Sequence, residues 1–177
     1  QNTTLTPLNE EPPNQLFRLE WFENLIEVLS FFAPGGAADF DGSTIYLTGS
    51  DPTLNTFSVT AEVLADADRI LATVPNGSRV ALTVHGGAAG HHPATAQLSA
   101  FGFDLEGMTG GNLLIIMPDI CQVTLDQVDF KGSLLAPNAN VDAQFIQIYG
   151  QVIARTLNLT DATLHGDPMT GCFCLAD

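Results

Sequence analysis

The chain has 177 residues, of which 20 are acidic and 5 are basic, and its formal net charge at pH 7 is −15. So negative a surface repels phosphate backbones and anionic lipid, which argues against nucleic acid as a partner. No run of about 18 or more apolar residues occurs, so the sequence predicts no membrane insertion. The apolar fraction of 45% suffices for one domain with a sizeable core.

The N-terminal third begins with a polar segment and continues with one helix. Residues 1–15 carry three prolines and predict an extended arm, with disorder or addition to a sheet edge as alternatives. Residues 16–33 have helical apolar spacing and end before Pro34. The apolar side consists of Leu19, Phe22, Ile26, Leu29 and Ala33. Since Trp21 and Phe31 widen this side, we expect the helix to pack on the flank of a sheet.

Beyond Gly36 the apolar pattern changes to a period of two, which is typical of strands. The inward positions predicted from this alternation are Ile45, Leu47, Phe57, Val59, Ala61, Val80, Leu82 and Val84. Residues 63–74 fit either a strand or one helical turn. Residues 85–97 are small and glycine-rich, which predicts a surface loop.

Residues 114–167 contain a sequence repeat that can be written in three rows of about 18 residues. Apolar residues recur in columns, which we interpret as the structural core. These columns are Ile116, Leu134 and Val152; Val123, Val141 and Leu159; Val128, Ile146 and Leu164; and Phe130, Ile148 and Gly166. The pattern predicts a mostly β fold, a roughly triangular β-solenoid with about 18 residues per coil, flanked by the helix near residues 16–33. A β-sandwich with evenly spaced strands is the alternative.

The predicted organisation is an arm at 1–15 followed by a single domain at 16–177, which includes the packed helix and a short cysteine-containing tail. Three cysteines are an odd number. In a secreted protein Cys121 is expected to form a disulfide with Cys172 or Cys174, leaving one thiol over. Reduced, buried thiols are the alternative.

Candidate chemical groups form no recognisable catalytic or metal-binding motif. The histidines His85, His91 and His92 surround the glycine-rich loop, but their spacing matches no zinc pattern. Six aspartates could form a calcium site, although no D-x-D-x-D-G loop is present. They are Asp66, Asp68, Asp126, Asp129, Asp142 and Asp161. The sequence therefore predicts no enzyme and no cofactor, with calcium as the alternative to a solvated acidic surface.

Two phrases of the repeat carry a family resemblance. "GSLLAPNANV" at 132–141 and "GQVIA" at 150–154 resemble the C-terminal core of the choice-of-anchor A domain, an adhesive domain of bacterial surface and secreted proteins. The resemblance covers about residues 16–167. The same phrases are similar to the ice-binding β-solenoid family, in which a long helix lies beside the coils. The resemblance implies a solenoid, an extracellular location and no catalysis.

The function predicted from these observations is that of a non-enzymatic structural or adhesive protein at a cell surface or in a matrix. Its partner would be an extracellular surface ligand or another copy of itself. One alternative is a self-assembling filament subunit joined through the N-terminal arm and the solenoid ends. Another is an ice-binding protein, against which the charged outward columns argue. Those columns are Thr124, Asp142 and Thr160, and Asp126, Gln144 and Ala162.

Overall fold

The computed structural model describes residues 35–86, 94–106 and 108–165. The predicted arm at 1–15 and the predicted helix at 16–33 lie outside these residues, as do His91, His92, Gly166, Cys172 and Cys174. Among the described residues, no helix is both long and apolar enough to cross a membrane.

The described chain contains fourteen strands and one short α-helix. The first strands are β1 (Ala37–Phe40), β2 (Thr44–Thr48), β3 (Leu54–Thr60), β4 (Arg69–Thr73), β5 (Arg79–His85), β6 (Thr95–Ser99) and β7 (Gly102–Glu106). The others are β8 (Leu113–Ile116), β9 (Gln122–Asp126), β10 (Asp129–Phe130), β11 (Ser133–Gln144), β12 (Gln147–Ile148), β13 (Val152–Thr160) and β14 (Thr163–Leu164).

Helix α1 (Ala61–Asp66) occupies part of the segment for which the sequence allowed a strand or a helical turn. Both forms are present, because α1 is followed directly by β4. The Thr60 hydroxyl accepts a hydrogen bond from the Val63 amide, 3.4 Å away, and so caps the first turn. Leu64 and Ala61 then bury their side chains in the core.

The strands form one large sheet and two small ones. A seven-stranded parallel sheet curls into a half-barrel in the order β3-β5-β8-β11-β9-β6, with β13 paired to β11. The small sheets have the orders β1-β2-β4-β7 and β10-β12-β14, and only the β1–β2 pair is antiparallel. Strand β11 joins the two halves of the large sheet, because it pairs with β8 near its start and with β9 near its end.

The predicted triangular β-solenoid with uniform coils is therefore wrong. Hydrogen-bonded neighbours are separated by unequal lengths of chain: Leu54 lies opposite Arg79, and Val80 lies opposite Leu113. Helix α1 and a 3-10 helix at Gly110–Asn112 lie within these longer segments. A spacing of 18 residues occurs only locally, as between Val123 and Val141. Such a spacing indicates that two parallel strands are neighbours, and a curled sheet satisfies it as well as a coil does.

The structure also places the predicted core columns in a different register. Leu134 lies opposite Ile115 rather than Ile116, and it lies opposite Val152 as expected. Ile116 is buried but belongs to the other side of the sheet, because adjacent strand residues face opposite ways. A one-residue difference in register is therefore enough to change the face on which a side chain lies.

The last row of the repeat is displaced by an irregularity in β11 between Ala136 and Asn140. As a result Val141 lies opposite Leu157, whereas Leu159 lies opposite Ala143 and is 40% exposed. In the third column the last residue is likewise displaced from the first two. Val128 and Ile146 are buried, but Leu164 lies opposite Ile148 and is 52% exposed. Pro137 lies within the irregular stretch, where its missing N–H removes one ladder hydrogen bond.

The large sheet is apolar on both faces at β8 and at the start of β11. The side chains of Ile115 and Leu134 belong to the central core cluster. On the opposite face Leu114, Ile116 and Leu135 are also buried, yet they lie outside that cluster. The buried apolar surface of the sheet is therefore larger than the central core alone.

Four corners of the chain share one unusual backbone conformation. Ala100, Gln127, Phe145 and Asp161 have positive φ angles between 48° and 54°. Each follows the last residue of a strand: β6, β9, β11 or β13. Backbone hydrogen bonds link successive corners to the neighbouring strand, as from the Phe145 amide to the Thr160 carbonyl at 3.1 Å. The four corners therefore form a stacked column, which we call the corner column.

Candidate functional site

The second half of the large sheet carries a regular array of polar side chains on its outer surface. Strands β6, β9, β11 and β13 lie side by side here in parallel register. Alternate residues such as Leu98, Leu125 and Ala143 point into the core and are buried. The residues between them therefore point outward.

The outward residues form three rows of four, which we call the polar face. Across β6, β9, β11 and β13, the rows are Thr95, Gln122, Asn140 and Thr156; then Gln97, Thr124, Asp142 and Asn158; then Ser99, Asp126, Gln144 and Thr160. Neighbours across strands are about 4.8 Å apart, and successive rows are about 6.7 Å apart. None of the twelve side chains is basic or aromatic, so the array presents closely spaced hydroxyls, amides and carboxylates.

Hydrogen bonds across the strands hold several of these side chains in place. The Asp142 carboxylate accepts one bond from Gln122 Nε2 at 2.6 Å and another from Asn158 Nδ2 at 2.7 Å. The Thr156 hydroxyl donates to Asn140 Oδ1 at 2.8 Å. Because these contacts fix side-chain rotamers before any partner arrives, less conformational entropy is lost on binding.

One atom of the polar face is buried without a hydrogen-bond partner. Asp126 Oδ1 has no donor in contact, although Asp126 lies between Ser99 and Gln144 in the third row. Its neighbours across the strands, Ser99 and Gln144, carry a hydroxyl and an amide, which are the donor groups that such a carboxylate oxygen requires.

A family model described as "Putative Ice-binding-like adhesive domain" matches residues 20–166. The chain belongs to this family. No curated protein and no solved structure matches the chain.

Membership among the ice-binding-like adhesive domains supports part of the resemblance found in the sequence. The family description agrees with the predicted resemblance to an adhesive domain and to ice-binding proteins. The specific assignment to the choice-of-anchor A domain stays a prediction. Adhesive-domain membership implies a surface or extracellular location.

In the predicted outward columns, as in the core columns, the structure places a different residue of the last row beside the first two. Thr124 and Asp142 do lie side by side, but the next residue across is Asn158 rather than Thr160. Asp126 and Gln144 are followed by Thr160 rather than Ala162. The surface loop predicted over residues 85–97 is wrong at its end, where β6 begins at Thr95 and Ala96 and Leu98 alternate with polar residues. That alternation in "TAQLS" is the signal that would have found it.

The candidate metal ligands do not come together in the described part of the chain. No group of three or more His, Cys, Asp or Glu residues could hold a metal ion there. Asp126 and Asp142 share the polar face but lie in different rows, and Asp129 lies on β10. His85 ends β5, and the Gly86 amide beside it donates to Asp119 Oδ1 at 3.0 Å.

The predicted disulfide involves residues beyond the described ranges. Cys121 is half-buried just before β9, and it forms no disulfide within the residues that the structure describes. Since Cys172 and Cys174 lie outside the described residues, the pairing stays a prediction.

Proposed function

We propose that this ice-binding-like adhesive domain is non-enzymatic and acts at a cell surface or in an extracellular matrix, where its polar face contacts a solid with a repeating polar surface. The observation that carries the proposal is the array of three rows across four parallel strands that pair in register. The family description supports adhesion as the general role.

A regular array suits a repeating target better than a single small ligand. Each hydroxyl or amide contributes little by itself, since a net hydrogen bond is worth about 0.5–1.5 kcal/mol. Twelve groups on a rigid sheet can engage a lattice together, so many weak contacts sum without a large ordering cost. Ice and crystalline polysaccharides are surfaces of this kind.

The charge of the molecule limits the choice of surface. A net charge of −15 repels anionic solids, whereas ice and neutral polysaccharides carry no net charge and do not repel the protein. On the polar face, the Asp142 carboxylate accepts hydrogen bonds from two side-chain amides, so its charge is partly compensated within the array.

The test replaces a central residue of the array with a long charged one. Thr124→Arg should disrupt the polar face, because the arginine side chain projects above its neighbours Gln97 and Asp142. Thr73→Arg, at an exposed position of β4, adds the same charge on another sheet and serves as the control. The measurement is retention of purified protein on ice, on crystalline cellulose and on crystalline chitin.

The wild-type chain and Thr73→Arg should be retained on at least one of these solids, and Thr124→Arg should lose about tenfold or more in affinity. Thermal hysteresis of a dilute solution separates ice binding from polysaccharide binding. Equal retention of the two variants on every surface would show that the polar face is not the contact site.

Self-association is a second candidate, supported by the edge of the large sheet. Among the described residues β13 pairs only with β11, and its side chains Leu157 and Leu159 are 37% and 40% exposed. An exposed apolar edge strand is a template for pairing with another chain. Light scattering over a concentration series tests this, with Leu159→Glu expected to abolish any oligomer. A monomer at every concentration, with and without reductant, would argue against the candidate.

A further inference from the structure

A second surface of the molecule has the features of a small-ligand site and does not overlap the twelve residues of the polar face. It consists of two adjoining hollows of about 590 and 420 Å³ beside β7 and the sheet formed by β10, β12 and β14. Phe103 and Lys131 border both hollows, so the two form one continuous groove. Each volume falls within the range of about 300–1,000 Å³ that is typical of small-molecule sites.

Aromatic rings form part of the groove wall. Tyr149 borders the smaller hollow, and one face of its ring stacks on His165 with centroids 4.3 Å apart and planes 3° apart. Phe145 borders the larger hollow and is 58% exposed. Exposed aromatic surface beside a concave site offers a flat apolar platform for a ligand.

The Tyr149 ring is held in position by its neighbours. Gln147 Oε1 accepts a hydrogen bond from the Tyr149 hydroxyl at 2.9 Å and lies 3.0 Å from His165 Nε2. The stacked pair and the bridging amide restrict the tyrosine rotamer, so a ligand would lose little side-chain entropy by packing against it.

Polar groups of both kinds lie around these rings. Lys131 Nζ donates to the Phe103 carbonyl at 3.4 Å, which keeps the cation between the two hollows. Asp129 and Gln127 border the larger hollow, and Asp104 borders the smaller one. The groove thus combines carboxylate acceptors, an ammonium donor and an amide with aromatic platforms.

We propose that this groove binds a neutral oligosaccharide. The C–H groups on one face of a pyranose carry partial positive charge and pack on the electron-rich face of an aromatic ring. Its hydroxyls donate to carboxylates such as Asp129 and accept from Lys131. The carboxylates and the net charge of −15 disfavour an anionic ligand, and the charged walls disfavour a purely apolar one.

The experiment measures binding of cellotetraose, chitotetraose, maltotetraose and mannotetraose by calorimetry and by chemical-shift perturbation, with a tetramer of galacturonic acid as the anionic comparison. The wild-type chain should bind at least one neutral tetrasaccharide and should bind the anionic one at least about tenfold more weakly. Tyr149→Ala and Asp129→Asn should each weaken that binding about tenfold. Tyr149→Phe, which keeps the ring, should retain most of it.

Tyr46→Ala, on β2, removes a tyrosine that borders neither hollow, so it is the matched control and should bind like the wild type. If Tyr149→Ala does not fold, Asp129→Asn alone decides the case. Absence of binding to all four neutral sugars, or binding unchanged by Asp129→Asn, would overturn the proposal. Because Thr124→Arg alters only the polar face, it should leave tetrasaccharide binding intact, so the two proposals fail separately.

Discussion

Leu134 and Leu159 both belong to predicted core columns of the sequence repeat but lie in very different environments. Leu134 is buried in the central core, whereas Leu159 is 40% exposed near the end of β13. The apolar pattern treats them alike because each lies in a column that is apolar in every row of the repeat. The difference arises from sheet position, since β11 has strands on both sides and β13 is paired on one side within the described chain.

The matched pair Leu134→Asp and Leu159→Asp makes this difference measurable. The first variant buries a carboxyl without a partner and removes apolar packing, so we expect a loss of at least about 3 kcal/mol in the free energy of unfolding. The second should cost less than about 1 kcal/mol. Urea denaturation at pH 7 gives both values. Similar losses in the two variants would contradict the placement of β13.

Asp51 provides a pH-dependent contribution at the turn before β3. Hydrogen bonds from the Thr53 hydroxyl, the Thr53 amide and the Leu54 amide to its carboxylate hold the pKa of Asp51 below the ordinary value of 3.8. The folded state thus favours the charged form, so this contribution is complete above pH 3.8 and is lost as the pH falls below that value.

Asp51→Ala should therefore lower the melting temperature at pH 7, and the gap from the wild type should narrow as the pH falls below 3.8. Thermal unfolding followed by circular dichroism between pH 7 and pH 2.5 would show this. Asp39→Ala, at an exposed position on β1, controls for the loss of one carboxyl group. A gap that widens on acidification would have the wrong sign for a lowered pKa.

At the scale of elements, the sequence predicted the strands whose two faces differ. Ile45 and Leu47 on β2, and Val80 and Val84 on β5, are buried as their alternation indicated. The sequence of strand β8 did not indicate which residues face the central core, because all four are apolar and buried and show no period of two. The choice between Ile115 and Ile116 as the partner of Leu134 therefore depended on register, which turns and bulges determine.

The same limit applies to the polar face and the groove. The spacing of 18 residues correctly made β9 and β11 neighbours, which brought Thr124 beside Asp142. It could not reveal the irregularity after Ala136 that shifts Asn158 into the central row. The sequence did not predict the groove, because its residues come from β7, from Asp129 on β10 and from corners and loops, which have little periodic signal.

The second apolar face of the large sheet leads to a prediction about the helix expected at 16–33. We expect the apolar side of that helix to cover Leu114, Ile116 and Leu135, which are buried outside the central core. Phe22→Asp should then destabilise the domain by about 2–4 kcal/mol and speed amide exchange in β8 and β11.

Glu23→Ala, on the polar side of the same expected helix, should leave the stability of the domain and the amide exchange of β8 and β11 nearly unchanged. Amide hydrogen exchange measured by mass spectrometry distinguishes the two variants. Unaltered protection of β8 in Phe22→Asp would show that another part of the chain covers this face.

For the whole molecule, the dominant physical property is its negative charge. The 20 acidic residues against 5 basic ones repel one another in the folded state more than in the expanded chain. Salt screens this repulsion, since the Debye length falls from about 30 Å at 0.01 M to about 10 Å at 0.1 M.

We therefore expect the melting temperature to rise when NaCl increases from about 0.01 to 0.1 M, where screening changes most. Differential scanning calorimetry at constant pH measures the shift, and Na₂SO₄ at matched ionic strength separates screening from effects specific to one anion. A melting temperature that falls over this range would mean that attractive ion pairs outweigh the net repulsion.

The corner column separates the polar face from the groove, because Ala100, Gln127 and Phe145 follow polar-face strands and also border the larger hollow. A left-handed backbone costs a residue other than glycine about 1–2 kcal/mol, and asparagine tolerates it better than alanine does. Ala100→Asn should therefore stabilise the domain at the cost of one changed residue beside the larger hollow. Because the same corners end the polar-face strands and border the hollow, the corner column fixes the distance between the two proposed contact surfaces.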